Sequence, residues 1–128
     1  MARREAGAAT AELVVATPVL LMVLLLVVQF ALWQHAEHVV TAAAREGART
    51  ARLEGGTASA GQARAEGLLH DLGRHVVDGA AVRAERDGQV ASVHVEGHAV
   101  AVVPFLHLVV RADSSGPVER FRPATEAP

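Results

Sequence analysis

The sequence of 128 residues contains no cysteine, which excludes a disulfide scaffold, a Cys-ligated zinc site, an iron–sulfur cluster and a cysteine nucleophile. Aromatic residues make up 3% of the chain, so a large core of packed rings is excluded as well. Lysine is absent, and 12 arginines stand against 14 aspartates and glutamates for a net charge of -2. This balance argues against a basic nucleic-acid-binding face, and we expect no nucleic-acid partner.

Motifs of catalysis are also lacking. The sequence has no Gly-rich phosphate loop, no G-x-S-x-G elbow, no H-E-x-x-H and no paired carboxylates in an identifiable cleft. Among the 7 histidines, the best-spaced pairs are His35 with His38 and His94 with His98. A zinc site needs three or four convergent ligands, so we interpret these histidines as solvated or interfacial. We therefore expect no enzyme, no metal and no cofactor.

Apolar residues are abundant, at 51% with a mean hydropathy of +0.25, and they are concentrated in one run. Residues 13–33 read LVVATPVLLMVLLLVVQFALW without a charge. As a helix, this run is about 30 Å long, the hydrocarbon thickness of a bilayer. A signal-peptide core would be shorter, about 7 to 15 residues, and would precede a small-x-small cleavage site. The run therefore predicts a membrane-spanning helix that leaves the bilayer near Trp33.

The orientation of this span follows from the arginines that flank it. Arg3 and Arg4 lie closer to the run than Arg45, the first arginine after it. Positive charge near the end of a span favours the cytoplasmic side. We predict a single-pass protein of the cell membrane with a cytoplasmic N-terminus and an extracytoplasmic C-terminal domain.

In the segment before the run, Gly7 stands five residues before Glu12, at the edge of the hydrophobic helix. This pattern resembles the processing site of type IV prepilin-like proteins. The resemblance implies a prepilin peptidase that cuts between Gly7 and Ala8, removes residues 1–7 as a leader and leaves Glu12 as the fifth residue.

Glu12 also has a physical reason to depend on this cut. A carboxylate at the bilayer edge costs up to a few kcal/mol and persists best with a partner. The new ammonium at Ala8 would lie about 6 Å along the helix from Glu12, and a neighbouring subunit could supply another. The alternative is that Glu12 snorkels to the head groups and that Gly7 is incidental.

Pro18 lies inside the run and removes one helical hydrogen bond. It predicts a kink or a loosened turn near Val14 and Val15. Such kinks are common in pilin-like helices, which makes Pro18 a candidate assembly residue, but many membrane helices accept a proline for packing reasons alone.

The helical pattern continues beyond the membrane. Small and apolar residues recur at spacings of three and four: Ala36, Val39, Val40, Ala43, Gly47, Ala48 and Ala51. One helix is predicted over residues 8–53, with a stripe that permits close packing and a Glu46–Arg49 ion pair on its wet side.

Two motifs together carry a family resemblance. The segment GAATAELVVATPVLLMVLLLVVQFALW, followed by VVTAAAREGARTARL, resembles the TadE-like family of pseudopilins. The resemblance implies a minor pseudopilin in assembly or initiation of the tight-adherence (Flp, type IV-like) pilus or a related secretion apparatus, with roles in adhesion. It also implies other pilin-like subunits and a membrane assembly platform as partners beside the lipid bilayer, and association with the pilus after processing.

A second helix is predicted after Glu54-Gly55-Gly56, which ends the first. Ser59 with Gln62 fits a capping box, and the helix stops near Gly73. Its apolar stripe is predicted to comprise Ala60, Ala63, Gly67, Leu68 and Leu72.

Beyond this helix the period changes to two. In residues 80–85 and 91–96, on either side of Asp87-Gly88, apolar and polar residues alternate. This pattern predicts a hairpin with a type I′ turn that places residue 84 opposite 91 and residue 82 opposite 93. Residues 99–110 are too short for a second span and are predicted as strand, loop and strand. A turn at 114–117 would lead to an edge strand at 118–121.

The predicted fold is α+β and pilin-like: a transmembrane helix that continues into a long helix, packed by a short helix and a small antiparallel sheet. We divide the chain into a leader (1–7), the long helix (8–53), an exported α+β domain (54–122) and a disordered tail (123–128). The alternative to a pseudopilin is an uncleaved, single-span anchored protein whose exported domain binds a ligand or partner.

Overall fold

The computed structural model describes residues 2–120, with side chains from residue 4 onward. The elements are α1 (Ala2–Arg52), α2 (Ala58–Gly73), β1 (Val77–Arg86), β2 (Val90–Ala99) and β3 (Val109–Pro117). The predicted α+β class, with its long apolar helix, short helix and small antiparallel sheet, is confirmed. The predicted tail, and the last residue of the predicted edge strand, lie outside the described residues.

The two helices are joined by a glycine turn and a side-chain cap. Gly55 has a φ of 75°, a left-handed conformation that suits glycine after a helix end. Thr57 is the N-cap of α2, because its backbone is extended and its hydroxyl oxygen accepts a hydrogen bond from the Ala60 amide at 3.0 Å. The predicted cap at Ser59 is therefore wrong by two residues, since Ser59 lies inside the first turn of α2.

The helix α2 packs on α1 through glycine and alanine, not through the predicted stripe. Its buried residues are Gly61, Ala65, Leu69 and Gly73, whereas Leu72 is 56% exposed. At Gly61 an added Cβ would stand 2.6 Å from the Gly47 carbonyl oxygen and 2.7 Å from the Ala51 Cβ. The buried face of α2 is therefore the one that lets the two helices approach closely. The distribution of apolar residues does not identify this face in an alanine-rich helix.

The three strands form one antiparallel sheet in the order β1-β2-β3. The predicted hairpin of β1 and β2 is present, but Ala84 lies opposite Val93, so the predicted pairing is wrong by two residues. The cause is Asp87, whose carboxylate accepts hydrogen bonds from the Gln89 and Val90 amides at 2.7 Å and moves the turn centre one residue along. A shift of two keeps the paired side chains of residues 82–85 on their predicted faces, whereas Ala80 lies at a bulge between Asp78 and Ala81 and is exposed.

The strand β3 lies further along the chain than predicted, because residues 100–108, within the predicted strand, loop and strand, form no strand. Residues 114–117, predicted as a turn, continue the ladder with β2, so that Val93 lies opposite Ser114 and Val90 opposite Pro117. The end of β3 is held by α1, because the Arg52 side chain donates a hydrogen bond to the Pro117 carbonyl at 3.0 Å. Residues 118–120 form no strand, and the predicted edge strand is wrong over these residues.

The core lies between the inner face of the sheet and the second half of α1. Every member of the predicted small-residue stripe on α1 is buried, which confirms that the domain covers it. The sheet contributes chiefly Ala91, Val93, Val95 and Val110. The Glu46 carboxylate pairs with Arg64 of α2 at 3.6 Å instead of with Arg49, so the ion pair joins the two helices.

Candidate processing and assembly site

The predicted processing residues lie together near the start of α1. Gly7, Ala8 and Glu12 are all helical and exposed. Ala8 and Glu12 are four residues apart, which places them on one helix face about 6 Å apart along the axis. Pro18 lies about 9 Å further along the same helix.

Gly7 has no packing role in the described structure. A Cβ added at this residue would have nothing within 4 Å, in contrast to the tight contacts at Gly47 and Gly61. Glycine in a helix interior costs roughly 0.5 to 1 kcal/mol relative to alanine. The fold described by residues 2–120 therefore gives no steric reason for glycine at this position.

The apolar segment that follows Glu12, residues 13–28, is here named the bare segment because none of its side chains is buried. Its large aliphatic side chains are all exposed. The helix satisfies the length and composition of a membrane span, with a mean hydropathy of 2.7 over its most apolar window, of which 6% is buried. Within the described residues, therefore, no part of the chain covers this surface, and α1 could span a membrane.

The helix continues through Pro18. Proline has no N–H to donate to the carbonyl one turn earlier. One residue before it, the Thr17 hydroxyl donates a hydrogen bond to the Leu13 carbonyl at 2.7 Å, which satisfies this polar side chain within the apolar segment. The helix thus accommodates both residues, and the kink near Val14 stays a prediction.

Sequence reasoning missed Gln29. This side chain is 1% exposed, in a run whose other residues up to this point face outward. Its amide nitrogen donates to the Val100 carbonyl at 3.1 Å, and its oxygen accepts from the Val102 amide at 2.7 Å and the Val103 amide at 3.2 Å. The signal was available, because a lone amide in an uncharged apolar run is costly unless it is paired.

The outer face of the sheet carries a polar cluster. His94 forms hydrogen bonds with Asp113 and, at 3.4 Å, with Glu96, which also pairs with Arg111 at 3.5 Å. The hydrogen bonds to Asp113 and then Glu96 raise the pKa of His94 above its ordinary value. Among the described residues, no group of three or more His, Asp or Glu could hold a metal ion, and His98 does not join this cluster.

Comparison with known proteins identifies a family match in the first part of the chain. The family model described as TadE-like protein matches residues 7–49, which include Gly7, Ala8, Glu12 and Gln29. No curated protein and no solved structure matches the chain. The resemblance found in the sequence is confirmed over these residues, which comprise the bare segment of α1 and most of its packed half.

Proposed function

From the TadE-like character of residues 7–49, we propose that the chain is a minor pseudopilin that a prepilin peptidase cuts after Gly7. It acts in assembly or initiation of a tight-adherence pilus or a related secretion apparatus, together with other pilin-like subunits and a membrane assembly platform. In this proposal α1 crosses the cell membrane with its N-terminus in the cytoplasm, and the α+β domain lies outside.

The observation that carries the proposal is the exposed, unconstrained glycine ahead of a bare span. Gly7 has open space around it, Glu12 follows five residues later, and uncovered apolar surface begins at Leu13. A peptidase that needs close access to the backbone would gain from glycine there, whereas the fold gains nothing from it.

Cleavage would change the electrostatics of the membrane edge. The ammonium at Ala8 would stand about 6 Å along the helix axis from Glu12, and two unit charges at that separation attract by between about 0.7 and 3 kcal/mol depending on the local dielectric. This is comparable to the cost of a carboxylate at the bilayer edge. The same ammonium could instead reach the Glu12 of a neighbouring subunit and so favour assembly.

The test of cleavage compares two glycines of α-helices that both have open space. Gly7→Leu and the control Gly67→Leu add the same side chain where nothing lies within 4 Å. We expect intact-mass analysis of membrane extracts from peptidase-competent cells to show wild type and Gly67→Leu starting at Ala8, and Gly7→Leu uncut. A wild-type chain that keeps residues 1–7 there would contradict the proposal and favour the uncleaved anchored protein.

The test of assembly uses Glu12, which lies beyond the cut. Glu12→Ala and Glu12→Gln should still be processed, at most modestly more slowly, but should not co-purify with partner pilins. If both variants assembled normally, the carboxylate would have no partner and would be a snorkelling side chain.

A further inference from the structure

The connection between β2 and β3 is apolar to a degree unusual for a surface loop. Residues 100–108, here named the apolar loop, read VAVVPFLHL and form no helix or strand. No Asp, Glu, Lys or Arg occurs from residue 99 to residue 110. Exposed loops are ordinarily polar, and a contiguous apolar one usually marks a surface that something covers.

Hydrogen bonds hold the apolar loop against the last part of the apolar run of α1. Gln29 binds the backbone of Val100, Val102 and Val103, and the Trp33 indole N–H donates to the Val109 carbonyl at 3.4 Å. Gln29 lies about 6 Å along the helix axis before Trp33. If Trp33 lies among the head groups, the backbone bound by Gln29 lies below them.

The tip of the apolar loop presents an aromatic ring outward. The Leu106 amide donates to the Val103 carbonyl at 3.3 Å and closes a turn with Pro104 and Phe105 at its centre. Phe105 has a φ of 68° and is 96% exposed. A glycine or asparagine would fit this left-handed position with less strain, so the turn holds a bulky apolar ring away from the domain at an energetic cost.

We propose that the apolar loop inserts into the leaflet through which α1 leaves the membrane, with Phe105 at its deepest point. Burial of the phenylalanine ring among the acyl chains offsets the strain at the tip. The α+β domain is thus attached to the bilayer at two points, the span and the apolar loop. The proposal rests on the membrane span of the proposed function, but not on processing or assembly.

Two observations favour lipid as the occupant. The apolar loop is continuous with the bare surface of α1, because its backbone is bonded to the last turns of the same apolar run. Because lipid-exposed irregular backbone does not occur in the hydrocarbon region, the apolar loop enters the interfacial part of the leaflet, and its deeper backbone groups are bonded to protein. Gln29 satisfies three such groups, and Pro104, at the tip, has no N–H to satisfy.

The absence of cysteine makes a depth measurement direct, because one introduced cysteine is the only site for a nitroxide label. The full chain carrying Phe105→Cys is reconstituted in vesicles of phosphatidylethanolamine and phosphatidylglycerol. Leu24→Cys, on the bare segment, marks the membrane, and Ser115→Cys, exposed near the opposite end of β3, marks water. Collision rates with oxygen, which concentrates in lipid, and with a water-soluble nickel complex give the depth of each label.

We expect the label at 105 to collide more with oxygen and less with nickel than the label at 115, at a depth shallower than that of the label at 24. If the label at 105 were as accessible to nickel as the label at 115 while the label at 24 stayed protected, insertion of the apolar loop would be refuted and the span would not. Nickel access at 24 would overturn the span and with it the proposed topology. Protection from both reagents at 105 that disappears on dilution with lipid would identify a second copy as the occupant, and would also overturn the proposal.

Discussion

The two halves of α1 have the same secondary structure but opposite surfaces. In residues 13–28 the side chains are mostly large aliphatic ones, and none is buried. In residues 36–51 the buried side chains are small, mainly alanine and glycine, and they contact α2 and the sheet. A packed helix or sheet requires closely matched small side chains, whereas the large aliphatic side chains of residues 13–28 suit the lipid that the proposed topology places around them.

The largest expected loss of stability comes from adding a side chain where α1 and α2 cross. Gly61→Val adds a side chain whose Cβ would stand 2.6 Å from a backbone oxygen, which cannot move without separating the helices. We expect a loss of about 3 kcal/mol or more in the free energy of unfolding. Gly67→Val is the control, because it makes the same change on α2 where nothing lies within 4 Å. Denaturant unfolding in detergent, followed by circular dichroism, should separate the two variants, and equal stabilities would refute the close crossing.

The second prediction concerns the junction of the two halves. Gln29→Leu leaves the amides of Val102 and Val103 and the carbonyl of Val100 without the partner they now have. Because an unsatisfied buried group costs about 1 to 3 kcal/mol, we expect a destabilisation of about 2 to 3 kcal/mol and faster hydrogen exchange in the apolar loop. Gln34→Leu, at an exposed position, should change neither quantity. Unchanged exchange in Gln29→Leu would show that the amide does not fasten the apolar loop.

The third prediction concerns the end of the packed half. Nη1 of Arg86 lies 2.6, 2.9 and 2.5 Å from the carbonyl oxygens of Ala51, Leu53 and Gly56, which share its two hydrogens, and so caps the C-terminus of α1. Arg86→Met should lower the free energy of unfolding by about 1 to 2 kcal/mol. Arg83→Met, on the outer face of the same strand, should be nearly neutral. The same denaturant experiment checks both variants, and an Arg83 effect equal to that of Arg86 would speak against the cap.

The smallest expected effect is on the outer face of the sheet. The raised pKa of His94 means that its charged form is favoured by folding, chiefly through Asp113 and then Glu96. This stabilisation is complete below the unfolded pKa of about 6.5 and is lost as the pH rises through the folded pKa. We expect the free energy of unfolding of wild type to exceed that of His94→Gln by a larger margin at pH 5.5 than at pH 8.5. Because the group is largely exposed, the two margins should differ by at most about 0.5 kcal/mol. A difference that grows with pH would have the wrong sign.

Local patterns predicted the elements of this fold well. An uncharged apolar run and a small-residue stripe at helical spacing were enough to predict one long helix with a bare and a packed half. Alternation of period two gave the correct inner and outer faces of the first hairpin. These features depend on side-chain order along one element, which a single sequence contains.

Features that depend on contacts between elements were predicted poorly. The buried face of α2 depends on the meeting of Gly61 with Gly47, and the length of β3 depends on pairing with β2 and on Arg52. The role of Gln29 depends on a loop more than seventy residues away in the chain. The processing residues are the reverse case: Gly7, Ala8 and Glu12 were predicted from a resemblance to prepilin-like processing sites beside an apolar run, and their function and the proposed chain divisions stay predictions.

Lipid-phase photolabelling distinguishes a half of α1 that lies in lipid from a half that is covered by protein. The full chain in vesicles is irradiated with a diazirine reagent that partitions into the acyl chains, and the carbene adducts are located by fragmentation mass spectrometry. We expect adducts throughout residues 13–28 and almost none on residues 36–51. Equal labelling of the two segments, or no labelling of residues 13–28, would contradict this expectation.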